Sequence, residues 1–146
     1  MARVNVDADS VRRLKRLLSG RNLVYVATVM PDGSPQVTPV WANWADGFIT
    51  VNTAEGRTKH RNVLRDNRVA VSVTSADDPL QMVSVRGVVE ELIPDYDYKH
   101  ADILTRQYMP GKDRYPFRRP GERRTTLRIR PVSVYVMPEI RAEPGD

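Results

Sequence analysis

Residues Phe48 to Thr74, FITVNTAEGRTKHRNVLRDNRVAVSVT, constrain the fold more than any other stretch, because they spell strand, basic loop, short helix and strand in one run. Phe48 to Asn52 is β-branched and apolar, as a half-buried strand should be. Thr53-Ala54-Glu55-Gly56 breaks that pattern. Thr58 then stands as an N-cap, and Val63 and Leu64 give the following helix an apolar side. Val69, Val71 and Val73 alternate with smaller or polar residues, which restores strand periodicity. Between the two strands lie Arg57, Lys59, Arg61, Arg65 and Arg68, and from Arg57 onward the only acid among them is Asp66.

Cations that follow a strand and open a helix suit an anion. The free N–H groups and the positive end of the helix dipole point the same way. A phosphate there would take Arg57 in bidentate fashion and Lys59 as a point charge. The alternative for Arg61, Arg65 and Arg68 is a solvated helix face.

Composition narrows the classes. With 146 residues the chain reads as one domain with room for a core. It has no apolar run long enough for a membrane span, and residues 1–20 lack the hydrophobic region of a secretory signal. Cysteine is absent, which removes disulfides, thiolate nucleophiles and sulfur metal sites and fits a cytoplasmic protein. His60 and His100 are the two imidazoles, too few for a multi-histidine metal site, so no metal is expected. The net charge of +5 is local in origin: Lys112 to Arg130 holds eight basic residues against two acids. Such an excess suits nucleic acid, anionic lipid or an acidic small molecule.

Along the chain, Asp7 to Ser10 offers caps for an amphipathic helix with Val11, Leu14, Leu17 and Leu18 on one side and Gly20 as its stop. Leu23–Met30 is a strand and Pro31-Asp32-Gly33 its turn. Pro35–Trp44 reads as a second strand, with Gln36 and Thr38 on one face. Pro39 marks an edge, a bulge or a close approach to the backbone. Ala45-Asp46-Gly47 turns into the third strand. Gln81–Ile93 is a long strand bent at Gly87, and Asp95 caps a helix running to Tyr108. The stretch 109–121 is a loop, and Arg123–Arg130 and Val132–Met137 are two strands broken at Pro131. The tail 138–146 is expected to fray. Seven short strands with tight turns and few helices favour a mainly β, antiparallel barrel, closed or partly closed.

Three stretches, LVYVATVMPDGSPQVTPVW, FITVNTAEGRTKHRNVLRDNRVAVSV and TTLRIRPVSVYVM, resemble the pyridoxamine 5′-phosphate oxidase-like, flavin- or deazaflavin-binding split barrels. ATVMPDGSPQVTPVW and the GRTKHRN block are most similar to the branch that uses coenzyme F420; sister branches bind FMN, haem or nothing identified. The resemblance implies an antiparallel split β-barrel of the FMN-binding type, and a homodimer with cofactor sites at its interface. It implies Arg57, Thr58 and Lys59 at the cofactor phosphate. Gln36, Val37, Thr38, Pro39 and Val40 would lie along the tricyclic ring, with Thr50, Val51 and Asn52 on the neighbouring strand. Leu80 and Gln81 would reach a cofactor from a loop, and Arg61 is among the cations left for the oligoglutamate tail of F420.

A flavin or deazaflavin carries the reactive chemistry itself, so the missing catalytic set is no obstacle. No cysteine, Ser/His/Asp pattern or G-x-S-x-G elbow is present. The expectation is an F420-dependent oxidoreductase that transfers a hydride to a small unsaturated organic substrate, with Tyr96, Tyr98, Tyr108, Tyr115 and Phe117 as pocket candidates. Alternatives are an FMN-dependent oxidase or reductase, a non-catalytic cofactor-binding protein, and a nucleic-acid-binding basic barrel.

Overall fold

The computed structural model describes residues 6–137. Helix α1 (Ala8–Leu18) starts where the sequence predicts, with the Asp7 carboxylate accepting from the Ser10 N–H at 2.8 Å. Leu14, Leu17 and Leu18 are buried, while Arg12, Lys15 and Arg16 face solvent. Strand β1 (Val24–Val29) returns through the Pro31–Gly33 turn into β2 (Pro35–Val40). Strand β3 (Ala42–Ala45) returns through Asp46 and Gly47 into β4 (Phe48–Ala54); both turn residues have positive φ, as a two-residue hairpin with the strand twist requires. Then come α2 (Thr58–Arg65), β5 (Arg68–Thr74), β6 (Met82–Pro94), α3 (Lys99–Tyr108) and β7 (Arg124–Val136).

All seven strands form one antiparallel sheet in the order β2-β1-β5-β6-β7-β4-β3. The two ends of that order, β2 and β3, are consecutive in the chain and joined by Trp41 alone. A one-residue link cannot span a flat seven-stranded sheet, so the sheet must curl until its edges approach. The result is the partly closed, split barrel expected. Leu14, Leu18, Val24, Val26, Ile49, Val51, Leu127 and Ile129 fill it with side chains that are wholly shielded from water.

Four local expectations need correction. Pro35–Trp44 is two strands, not one. Trp41 turns out of the ladder and stacks on Tyr108, ring centres 5.3 Å apart, while the Tyr108 hydroxyl accepts from the Ala42 N–H and donates to the Asn22 carbonyl. Arg123–Arg130 and Val132–Met137 are instead one strand, β7. Pro131 sits opposite Gly87 at a bulge where the missing proline N–H is not needed. Gly87 is required there, since a Cβ would lie 2.8 Å from the Arg130 carbonyl oxygen. Thr58 is the first residue of α2 and not its cap; Arg57 holds the cap position without a side-chain bond. Helix α3 begins at Lys99 and not at Asp95, although the buried Asp95 carboxylate still caps it by accepting from the His100 and Ala101 N–H groups at 2.8 and 3.0 Å. Pro39 does mark an edge, since β2 pairs only with β1. The tail 138–146 lies outside the described residues, among which no helix is long and apolar enough to cross a membrane.

Candidate cofactor and substrate site

Curling the sheet brings the end of β2, the end of β4, the start of α2, the first turn of α3 and the loop before β7 around one cavity of about 290 Å³. Its polar side carries Asn52, Thr53, Arg57, Lys59 and Arg124, and its apolar side is built mainly from Trp41, Leu104, Tyr115 and Phe117. The first amides of α2 have no helical carbonyl to bond, and the first intrahelical bond there runs from the Arg61 N–H to the Arg57 carbonyl. Positive backbone charge and two cationic side chains therefore share the cavity mouth.

That mouth is short of negative charge. Among the described residues neither Arg57 nor Lys59 has an acidic side chain within ion-pair distance. Burial, followed by repulsion from the Arg57 and Arg124 guanidinium groups, pulls the Lys59 ammonium below its usual pKa. Arg124 is only 5% exposed. Its Nε donates to Asn52 Oδ1 at 2.8 Å, its Nη1 reaches Glu122 Oε1 at a long 3.5 Å, and its guanidinium lies 5.0 Å from the centre of the Tyr115 ring. A phosphate would relieve the like-charge crowding around Lys59, so the residues present fit a phosphate-bearing cofactor.

Behind Asn52 lies a polar network. Asn52 Nδ2 donates to Asp95 Oδ2 at 2.9 Å and approaches His100 Nδ1 at 3.3 Å. The Thr126 hydroxyl also meets Nδ1, at 2.8 Å, and His100 Nε2 meets Asn43 Oδ1 at 2.8 Å. The ring is thus held neutral, with Nε2 donating to the Asn43 carbonyl oxygen and Nδ1 accepting. Burial drops the His100 pKa to about 4, Arg124 pushing the same way and Asp95 opposing.

The predicted site residues divide. Pro39, Val40, Asn52, Arg57 and Lys59 line the cavity, and Thr58 sits half-buried between the two cations. Farther along β2, Gln36 pairs with the Thr28 hydroxyl, Val37 is exposed, and the Thr38 hydroxyl is enclosed with no hydrogen-bond partner. Thr50 bonds Asn43, and Val51 points into the core. Arg61 is exposed on α2. Leu80 and Gln81 lie apart from the cavity in this chain, beside a second hollow of about 200 Å³ bordered by Arg13, Met82 and Met137. Trp41, Leu104 and the Asn43–His100 pair were not anticipated. Arg124 was anticipated only as part of a basic cluster, most of which the fold neutralises: Arg118 pairs with Asp102, Arg123 with Glu55, Arg128 with Glu91 and Arg130 with Glu90.

The family model for pyridoxamine 5′-phosphate oxidase matches residues 11–137. The chain belongs to that family. It is 30% identical to a solved protein titled F420 Reductase, over 83% of this chain and 94% of that one, with a TM-score of 0.74. A conserved hypothetical protein, Rv2991 of Mycobacterium tuberculosis, matches over 99% of this chain and 97% of its own at 19% identity and a TM-score of 0.65. A putative pyridoxamine 5′-phosphate oxidase of Listeria innocua matches over 88% and 97% at 16% identity and a TM-score of 0.62; these last two share the fold. The family binds flavins and includes oxidoreductases, which places this split barrel among flavin- or deazaflavin-type proteins.

Proposed function

We propose that this protein is a cytoplasmic F420-dependent reductase acting on a small unsaturated organic substrate. The reading is carried by Arg57 and Lys59, two cations without acidic partners among the described residues, beside the open start of α2 at the cavity mouth. The 30% identity to an F420 reductase supports the deazaflavin among the possible cofactors.

Arg57 and Lys59 would hold the phosphate, and Pro39, Val40 and Asn52 would border the ring system. The bound cofactor would deliver a hydride, and the chain's own residues would position it and its acceptor. Trp41, Tyr115 and Phe117 would keep water from the acceptor's apolar body.

FMN is the second reading, and one observation favours it. F420 has a polyanionic tail beyond its phosphate, yet among the described residues Arg118, Arg123 and Arg124 already have acidic partners, while Arg61, Arg114 and Arg119 have none. Parallel fluorescence titrations with F420 and FMN decide between them. Tight binding of F420 alone supports the first reading, tight binding of FMN the second, and binding of neither removes the oxidoreductase proposal.

We further propose a homodimer formed through the outer face of β2, β1, β5, β6 and β7. Pro39, Tyr25, Ser72, Ser84 and Tyr135 stand in register across it, with Val37 and Ala70 in the next rows. Val37, Tyr25 and Tyr135 are 60%, 46% and 57% exposed, and in these rows the charged residue is Arg86, opposite Ala70. A second copy would also bring further residues toward the cavity beside Pro39.

A further inference from the structure

A third cation, Arg124, lines the same cavity as Arg57 and Lys59 but is built in differently. Arg57 lies at the exposed mouth, whereas Arg124 is almost wholly enclosed. Enclosing a guanidinium is costly unless a well-placed carboxylate answers it. Glu122 answers poorly, with one contact at 3.5 Å. The firm bond, from Nε to Asn52, fixes the group's direction without neutralising its charge. Asn52 is in turn held by Asp95, and Tyr115 covers one face of the guanidinium, so the fork is oriented before any ligand arrives. Among the described residues Nη2 has no partner.

The same cavity is also lined by aromatic side chains. Phe117 is 56% exposed and meets Tyr115 edge-on at 5.6 Å, and Trp41, also in the lining, is stacked on Tyr108. Leu23 and Leu104 complete an apolar surface on which a flat ring can lie.

We propose that Arg124 is the specificity-determining residue of a substrate subsite that selects flat, conjugated carboxylic acids. A single carboxylate matches the incompletely answered charge of Arg124 and the two-pronged geometry of its free guanidinium edge. A phosphate dianion is instead suited to the Arg57/Lys59 pair. A neutral amide of the same shape would desolvate Arg124 without answering its charge, so the site discriminates by charge and not by size. Describing the ligand as a substrate rests on the reductase reading; the carboxylate site itself does not.

Calorimetric titration of the full chain with cinnamate and cinnamamide tests this. Wild type is expected to prefer the acid by roughly tenfold or more, R124Q to abolish the preference, and R124K to restore part of it. E122Q, which removes the competing carboxylate, should tighten cinnamate binding and provides the test even if R124Q fails to fold. Equal affinity of wild type for acid and amide, a preference that survives R124Q, or no gain in E122Q would overturn the proposal. Titrating the same wild-type sample with F420 and FMN separates the two readings. A preference for the acid with no cofactor affinity would sink the reductase reading and sustain the carboxylate site. Cofactor binding without any preference for the acid would do the reverse.

Discussion

Acidification should weaken this protein in a pH window that belongs to His100. The neutral ring accepts from Thr126 at Nδ1 and meets Asn43 at Nε2, so a second proton on Nδ1 would force the Thr126 hydroxyl to turn from donor to acceptor and would repel Asn52 Nδ2. The folded pKa falls from 6.5 to about 4, chiefly through burial. Above pH 6.5 the ring is neutral folded and unfolded, and it contributes no pH dependence. As the pH falls below 6.5 the unfolded chain takes up the proton first, and folding stability is lost until the folded ring also protonates near 4. The full displacement corresponds to roughly 3 kcal/mol, of which about 2 kcal/mol is gone by pH 5. Asp7, Asp32 and Asp66 are held below the ordinary carboxylate range by hydrogen bonds from Ser10, Ser34 and Arg68, so their contribution is lost only below about 4. Urea unfolding of wild type and His100→Gln at half-unit steps from pH 7.5 to 4.5 measures the effect. The variant should begin less stable by about 1 kcal/mol for its lost hydrogen bonds and then vary much less with pH over this window. A wild-type profile that is level between pH 6.5 and 4.5, or an equal slope in the variant, would refute the assignment.

Lys59→Ala should weaken cofactor binding by roughly tenfold to a hundredfold; unchanged affinity in the fluorescence titration would remove Lys59 from the site. Because the lysine pKa is lowered, wild-type affinity should hold below that value and fall as the pH rises through it. Gly87→Ala forces a methyl group against the Arg130 carbonyl oxygen and Ile129 Cγ2 at 2.8 and 2.9 Å. It should cost roughly 1–3 kcal/mol in urea unfolding, and a neutral result would mean that the bulge gives way. Light scattering should find twice the 16.6 kDa chain mass for wild type, and one chain mass for a Tyr25→Arg, Val37→Arg variant. A wild-type monomer would exclude the proposed face.

Much of the split barrel was readable from local pattern. Alternating valines in β5, the Asp46-Gly47 turn, the leucine stripe of α1 and the Asp7 cap each rest on interactions within a few residues. The errors came where distant contacts overrode local cues. Pro131 looked like a strand end, yet β6 supplies a bulge that accommodates it. Between Pro35 and Trp44 the sequence flags an irregularity at Pro39 but not the break at Trp41, whose ring stacks on Tyr108, 67 positions beyond. Asp95 was recognised as a cap, but its reach to His100 and Ala101 depends on the turn through Tyr98.

The candidate site divides along the same line. Sequence alone determined that Arg57 and Lys59 stand together at the start of a helix, because residues two apart across a strand-to-helix turn remain neighbours in the folded chain. It also determined the excess of positive charge between Lys112 and Arg130. Only the tertiary structure decided how that charge is distributed. Folding answers Arg118, Arg123, Arg128 and Arg130 with acids from elsewhere in the chain and encloses Arg124 beside Asn52, 72 residues away. Charge is a property of composition, whereas whether a charge is screened, paired or left facing a cavity depends on which strands become neighbours when the sheet closes.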